Sequence, residues 1–302
     1  MEEMTKKLMN PSQGFLGMPD FSSSDYAKSD VVVIPFGLEY SVSYQGGTSG
    51  GPQAILQASH QVEFFDEDLW CEPCQKFNIA TMIEPTINQP INEALDQLDT
   101  IVSKVVEDGK FPFVLGGEHT LVAGSIRPFI KKYPDLVILH FDAHADLRDQ
   151  YEGNPFSHAC ALRRCVDGNE VPLISCGIRN ISQEEVNYLE SQKHRIQMFF
   201  AKDIHQWDIP EMLSSLRGQH VYITFDVDAF DSSLMPATGT PEPGGLFWHH
   251  AIDIIKEASK VSTIVGADIN ELAPRPNHHG CDFLAAKLAY KIMSYAFMKN
   301  KL

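Results

Sequence analysis

Leu136-Val-Ile-Leu-His-Phe141 runs straight into Asp142-Ala-His144-Ala-Asp146, and the reading of this stretch decides the fold class. A short apolar run ending in a polar cluster reads as a buried parallel strand whose carboxyl end carries a site. A second stretch repeats the arrangement, with Val221 to Phe225 leading into Asp226-Val-Asp228. Alternate residues of an extended chain point the same way. Asp142, His144 and Asp146 are therefore expected to converge past one strand end, and Asp226 and Asp228 past another. Upstream, Gly116-Gly117-Glu118-His119 adds an imidazole. Four carboxylates and two imidazoles gathered at one point repel each other unless cations are present. Hard oxygen donors with a minority of imidazole suit Mn(II)-type ions better than a structural zinc site. These residues point to a two-metal hydrolytic centre.

Other short β-branched runs are Val31-Val-Val-Ile-Pro35, Phe111 to Leu115, Leu173 to Cys176, Met198 to Phe200 and Thr263 to Ala267. Between the first two, Ile91 to Val106 places apolar residues at 91, 95, 98, 101, 102 and 105, which is helical spacing. The alternation predicts an α/β fold, a three-layer α/β/α sandwich with a mostly parallel central sheet. At 302 residues, with no linker between His119 and Asp228, the chain reads as one domain spanning 1–302. Residues 1–30 are expected to be an N-terminal extension, and 283–302 an amphipathic terminal helix used for packing.

Composition narrows the partners. The chain is 43% hydrophobic and 21% charged, which excludes disorder as its general state. No apolar run reaches the ~18 residues of a membrane span, so no membrane is expected. A net charge of -16 argues against nucleic acid and for a small cationic substrate. Six sparse cysteines, and no secretory pattern at the start, point to a reducing cytoplasm. Cys71-Glu-Pro-Cys74 has redox or zinc spacing but no second pair, and reads as incidental surface thiols. Gly46 to Pro52 lacks the lysine of a phosphate-binding loop and reads as a close-packed loop at the site. Met235 to Gly245, dense in proline and glycine, should line the site as well. His249-His250 and His278-His279 lack companions at ligand spacing.

Taken together, the motifs resemble the ureohydrolase family of arginases and agmatinases. The matching stretches are Gly116-Gly117-Glu118-His119, His140-Phe-Asp-Ala-His-Ala-Asp146, Ser157-His158, Thr224-Phe-Asp-Val-Asp228, Gly239 to Gly245 and Asp268-Ile-Asn-Glu271. The resemblance implies two Mn(II) ions per chain, with nickel as an alternative. One ion would be held by His119, Asp142, Asp146 and Asp226, the other by Asp142, His144, Asp226 and Asp228. Asp142, as a bridge, then counts with the catalytic groups. His158 matches the proton-shuttle position and Glu271 the carboxylate that pairs with the guanidinium. Glu242 is a further substrate-binding candidate. A homo-oligomer, trimer or hexamer, is also implied.

Within the family the pattern is closest to agmatinases, which hydrolyse agmatine to putrescine and urea. Arg148 stands where arginases carry asparagine, and Ser182 where they carry an aspartate for the substrate's α-amine. Both count against free arginine. His158 counts against formimidoylglutamases. Departures from agmatinases are Ser49 and Leu56 in place of arginines, and Ala159-Cys-Ala-Leu162 after His158. Alternatives are 4-guanidinobutanoate, another ω-guanidino compound or guanidine itself, and a catalytically silent regulatory member. Arg148, Glu152 and Asn154 are the residues expected to read the charge of the tail.

Overall fold

The computed structural model describes residues 7–18 and 25–302. Its strands are β1 (Val31–Phe36), β2 (Ile79–Thr81), β3 (Phe111–Gly116), β4 (Leu136–Phe141), β5 (Leu173–Ile178), β6 (Ile196–Phe200), β7 (His220–Asp226) and β8 (Thr263–Asn270). They form one sheet in the order β2-β1-β3-β8-β7-β4-β5-β6, and every pairing among them is parallel. Seven of the eight answer to apolar runs named above. The eighth, β2, is three residues long and too short to show any periodicity.

Strand alternation splits the core in two. Val31, Val33, Phe113, Leu139 and Phe225 face a layer built with the helices Gly51–Ser59, Trp248–Val261 and His279–Met298. Val32, Ile34, Val114, Ile138 and Tyr222 face the other layer, which includes the helix Ile91–Glu107. That helix buries Ile91, Ala94, Leu95, Leu98, Val102, Val105 and Val106, the stripe expected of a 3.6-residue period. The three-layer α/β/α arrangement follows.

Two expectations need adjustment. The terminal helix starts at His279, and every residue from Leu288 to Tyr295 is buried, so it is not amphipathic over that span. It is covered on several sides, by Gly51–Ser59, by Trp248–Val261 and by residues 64–68, and a helix enclosed in this way is apolar nearly all round. Cys74 is buried, not a surface thiol, and its N–H donates to the Tyr290 hydroxyl at 3.2 Å. All six cysteines are free. Near the start of the chain, Phe15, Leu16 and Met18 are buried within the first core layer. Among the described residues, no helix is long and apolar enough to cross a membrane.

Candidate active site

Four neighbouring strands of the sheet, β3, β8, β7 and β4, end at the same place. His119 follows β3, Glu271 follows β8, Asp226 closes β7 and Asp142 follows β4. His119 Nδ1 lies 3.1 Å from Asp142 Oδ2, 3.2 Å from Asp146 Oδ2 and 3.5 Å from Asp226 Oδ2. His144 Nδ1 lies 3.4 Å from Asp142 Oδ1 and 3.1 Å from Asp228 Oδ2. The six residues singled out from sequence are therefore together, although not through strand alternation. β4 stops at Phe141 and β7 at Asp226 itself, and tight turns beyond them bring the later side chains inward. Asp226 Oδ1 accepts the Asp228 N–H at 2.8 Å, and Asp142 Oδ1 accepts the His144 N–H at 2.6 Å. Asp146 and Glu271 adopt left-handed backbone (φ 52° and 65°), which few non-glycine residues do. Such conformations cluster at functional sites. A Cβ on Gly117 would overlap the Leu38 carbonyl, so glycine is needed for the close approach before His119.

Further groups surround this cluster. His140, fully buried, sits with Nε2 2.9 Å from Asp142 Oδ2 and Nδ1 3.0 Å from Ser175 Oγ. His119 Nε2 is 2.8 Å from Thr224 Oγ1, whose hydroxyl donates to Asp268 Oδ1 at 2.6 Å. Tyr222 and Asn270 also donate to Asp268, each at 2.6 Å. The His119 N–H donates to Glu271 Oε1 at 2.7 Å. Partners of this kind orient ligand side chains. His140, Thr224 and Asp268 stood inside the quoted motifs but were given no role; their alternation inside strands was the available signal.

The charge state of the cluster is strained. Burial, then the Asp142 charge, pushes Asp146 up to about 7. Burial, with Asp228, Asp142 and Glu271, pushes Asp226 well above the carboxylate range. Burial would lower both His119 and His144, but the carboxylates overcome it and drive His144 up to about 12. Asp142, facing three imidazoles, is held well below its usual range despite burial. Among the described residues, no lysine or arginine forms an ion pair with Asp142, Asp146, Asp226 or Asp228; histidines are their cationic partners. Two groups have ligand atoms within 4.8 Å of one another, His119 with His140 and Asp142, and Asp142 with His144 and Asp228. Asp142 belongs to both, as a bridging carboxylate would. Carboxylates with imidazoles and no thiolate fit a hard divalent cation.

The cluster opens into an inner cavity of about 30 Å³ that His158, Glu271 and Thr240 also line. An adjoining outer cavity of about 210 Å³ shares His144, Asp146 and His158 with it and adds Arg148, Tyr151 and Asn180. Glu242 lines neither. It is half-buried, and its Oε1 accepts from Asn180 Nδ2 at 2.7 Å. Of the three residues expected to read the tail, Arg148 reaches the outer cavity, with its guanidinium 5.2 Å from the Tyr151 ring centroid, and Glu152 and Asn154 do not line it. Ser182 instead caps the helix Gln183–Ser191 with Glu185. The loop Gly46 to Pro52 binds a carboxylate of its own chain, since Glu39 Oε2 accepts the N–H groups of Gly47 and Ser49 at 3.0 and 2.9 Å. His249, His278 and His279 are exposed and His250 is half-buried, all outside the cluster.

Comparison with known proteins agrees with this geometry. The model of the arginase family matches residues 29–295. The chain is 36% identical to an N(1)-aminopropylagmatine ureohydrolase of Synechocystis sp., covering 95% of this chain and 96% of that one. It is 34% identical to an agmatinase of Bacillus anthracis, covering 92% and 95%. The crystal structure of an agmatine ureohydrolase of Thermoplasma volcanium superposes with a TM-score of 0.82 at 28% identity, covering 93% and 94%.

Proposed function

The chain belongs to the arginase family and is a hydrolase of amidino C–N bonds, and from that premise we propose that it releases urea from an ω-guanidino amine. Agmatine, giving putrescine, is the reference substrate. The observation that carries this reading is the set of four crowded carboxylates that, among the described residues, no lysine or arginine neutralises. We assign His119, Asp142, Asp146 and Asp226 to one Mn(II) ion and Asp142, His144, Asp226 and Asp228 to a second. When bound, two such cations lower the pKa of a shared water and so supply a nucleophile at neutral pH.

The chain's own residues do the rest. Glu271 pairs with the planar guanidinium and orients it, a charge-assisted contact that limits its freedom. Water and the guanidinium together yield urea and an alkylammonium, so both protons of the water end on the departing amine nitrogen, and the first must reach it before the C–N bond breaks. The His158 imidazole carries that first proton. Burial lowers the pKa of His158 despite the opposing Glu118 charge, which favours a neutral ring ready to accept a proton.

The inner cavity has room for one or two water-sized groups, so only the substrate head fits there. Its tail extends into the outer cavity, where either agmatine or its aminopropyl homologue, named by the Synechocystis relative, is accommodated. Arg148 on that wall favours a second reading, a carboxylate tail as in 4-guanidinobutanoate. We also assign a homo-oligomer and, from six free thiols, a cytoplasmic location.

Urea release by Mn(II)-loaded protein from agmatine, N1-aminopropylagmatine, 4-guanidinobutanoate, arginine and guanidine, with bound metal counted, tests this directly. Two metals per chain and preference for an amine tail are expected. Preference for the carboxylate tail transfers the assignment to the second reading. No urea from any of the five overturns both.

A further inference from the structure

The loop after β1 reaches across to His158. Ser41 Oγ lies 3.1 Å from Glu118 Oε1 and 3.1 Å from His158 Nδ1, and accepts the His158 N–H at 2.9 Å. Glu118, 1% exposed, accepts the N–H groups of Tyr40 and Ser41 at 2.5 and 2.6 Å through Oε2, and its own N–H donates to the Leu38 carbonyl at 2.7 Å. Ser41 is thus tied to Glu118, the neighbour of His119, by two contacts of its own, and Tyr40 and Leu38 add one each.

Counting protons decides the state of the His158 ring. A hydroxyl has one proton to donate and two lone pairs to accept with, and a carboxylate only accepts. The backbone N–H of His158 takes one lone pair of Ser41 Oγ. If the Ser41 proton goes to Glu118, the remaining lone pair requires a donor, and Nδ1 must carry a hydrogen. The opposite arrangement would set an oxygen of Glu118 against a Ser41 lone pair at 3.1 Å with no proton between them. The Ser157 hydroxyl, at 3.5 Å from Nδ1, is the more distant neighbour. Nε2 has no hydrogen-bond partner among the described residues, and the ring lines the inner cavity.

We propose that Ser41, held by Glu118, is a positioning residue that fixes His158 in the Nδ1–H tautomer and aims its Nε2 lone pair into the cavity. The proton lost by water then joins Nε2 and leaves from the same atom to the amine nitrogen, while Nδ1–H stays bonded to Ser41. The tautomer of a catalytic histidine is set by the bond its other nitrogen makes. This inference rests on the reading of His158 as the proton carrier.

The test is a double-mutant cycle on the Mn(II)-loaded full chain, assayed with whichever compound of the panel it turns over fastest. Ser41→Ala is expected to lower kcat about 10- to 100-fold with KM and metal count unchanged, the scale of a misaligned catalytic group. Ser41→Thr, which keeps the hydroxyl, should stay within about threefold of wild type on the same scale. In the His158→Asn background, Ser41→Ala should add nothing, because its partner is gone. A loss from Ser41→Ala that is equally large in that background overturns the proposal, as does a wild-type rate for Ser41→Ala or a Ser41→Thr as slow as alanine. A wild-type kcat in His158→Asn alone overturns the underlying reading of His158, and this proposal with it.

Discussion

Two dense acidic clusters in this molecule look alike in sequence and behave in opposite ways. Asp66, Glu67 and Asp68 surround Lys291, which is fully buried on the terminal helix with its Nζ 3.0, 3.0 and 2.9 Å from the three carboxylates. Lys256 Nζ lies 2.5 Å from Asp68, and the Tyr295 hydroxyl donates to it at 2.6 Å. Burial would raise Asp68, but these hydrogen bonds overcome it and hold the carboxyl well below its usual range. At the strand ends two aspartates are pushed the other way, Asp146 up to about 7 and Asp226 well above the carboxylate range, and only Asp142, facing three imidazoles, is lowered. The difference is the supply of cations. The first cluster contains its own ammonium groups and is complete; the second has only imidazoles and asks for positive charge from outside. Carboxylate density alone marks neither a site nor a scaffold; what separates the two is the kind of cation that faces the acids, ammonium groups in one and imidazoles in the other.

Asp142→Ala tests the contrast hardest. It removes the carboxylate common to both ligand groups, and urea release should fall by more than about 100-fold, beyond the loss typical of a residue that only supports a ligand. Metal analysis should show fewer than two ions per chain, and full loading at wild-type rate would sink the assignment. Lys291→Met acts on the other cluster. Leaving the buried Asp66 carboxylate without its cation costs about 3–5 kcal/mol in urea unfolding at neutral pH.

The sign of the pH dependence follows from the lowered Asp68. Its stabilising contribution is present above the ordinary value of 3.8 and is lost as pH falls through the folded value. The gap between wild type and Lys291→Met should therefore narrow as pH drops below 3.8. A gap that stays constant would mean the ion pairs are not its source. Chelation probes the open cluster in the same units. Metal at 100 times its Kd adds about 2.7 kcal/mol, so stripping it should lower Tm by about 4 °C in a chain of this length. The same drop is expected in Lys291→Met if the two clusters are independent. The smallest effect concerns the outer cavity. Arg148→Ala should shift kcat/KM toward agmatine and away from 4-guanidinobutanoate by about fivefold, as suits a partly exposed charge worth about 1 kcal/mol. No change in that ratio would remove Arg148 from substrate selection.

Much of this was legible before any coordinates. Seven strands, the helix Ile91–Glu107 and the six residues of the strand-end cluster could be read from apolar periodicity and from side-chain chemistry, both local properties of the chain. Lys291 was not legible, because nothing around it in a terminal helix announces three carboxylates more than 200 residues away. Ser41 was likewise invisible, since its partner His158 lies 117 residues on.

Residue chemistry and local spacing were enough to name the strands, the ligand-type side chains and the family likeness, because those depend on neighbours in the chain. Folding decided that β3, β8, β7 and β4 stand side by side, and so brought four separate strand ends to one point. It also decided which acidic cluster received lysines and which, among the described residues, received only histidines. The reason is physical: strand order and long-range contacts are set by how whole layers pack and satisfy their hydrogen bonds, and no local stretch of sequence carries that information.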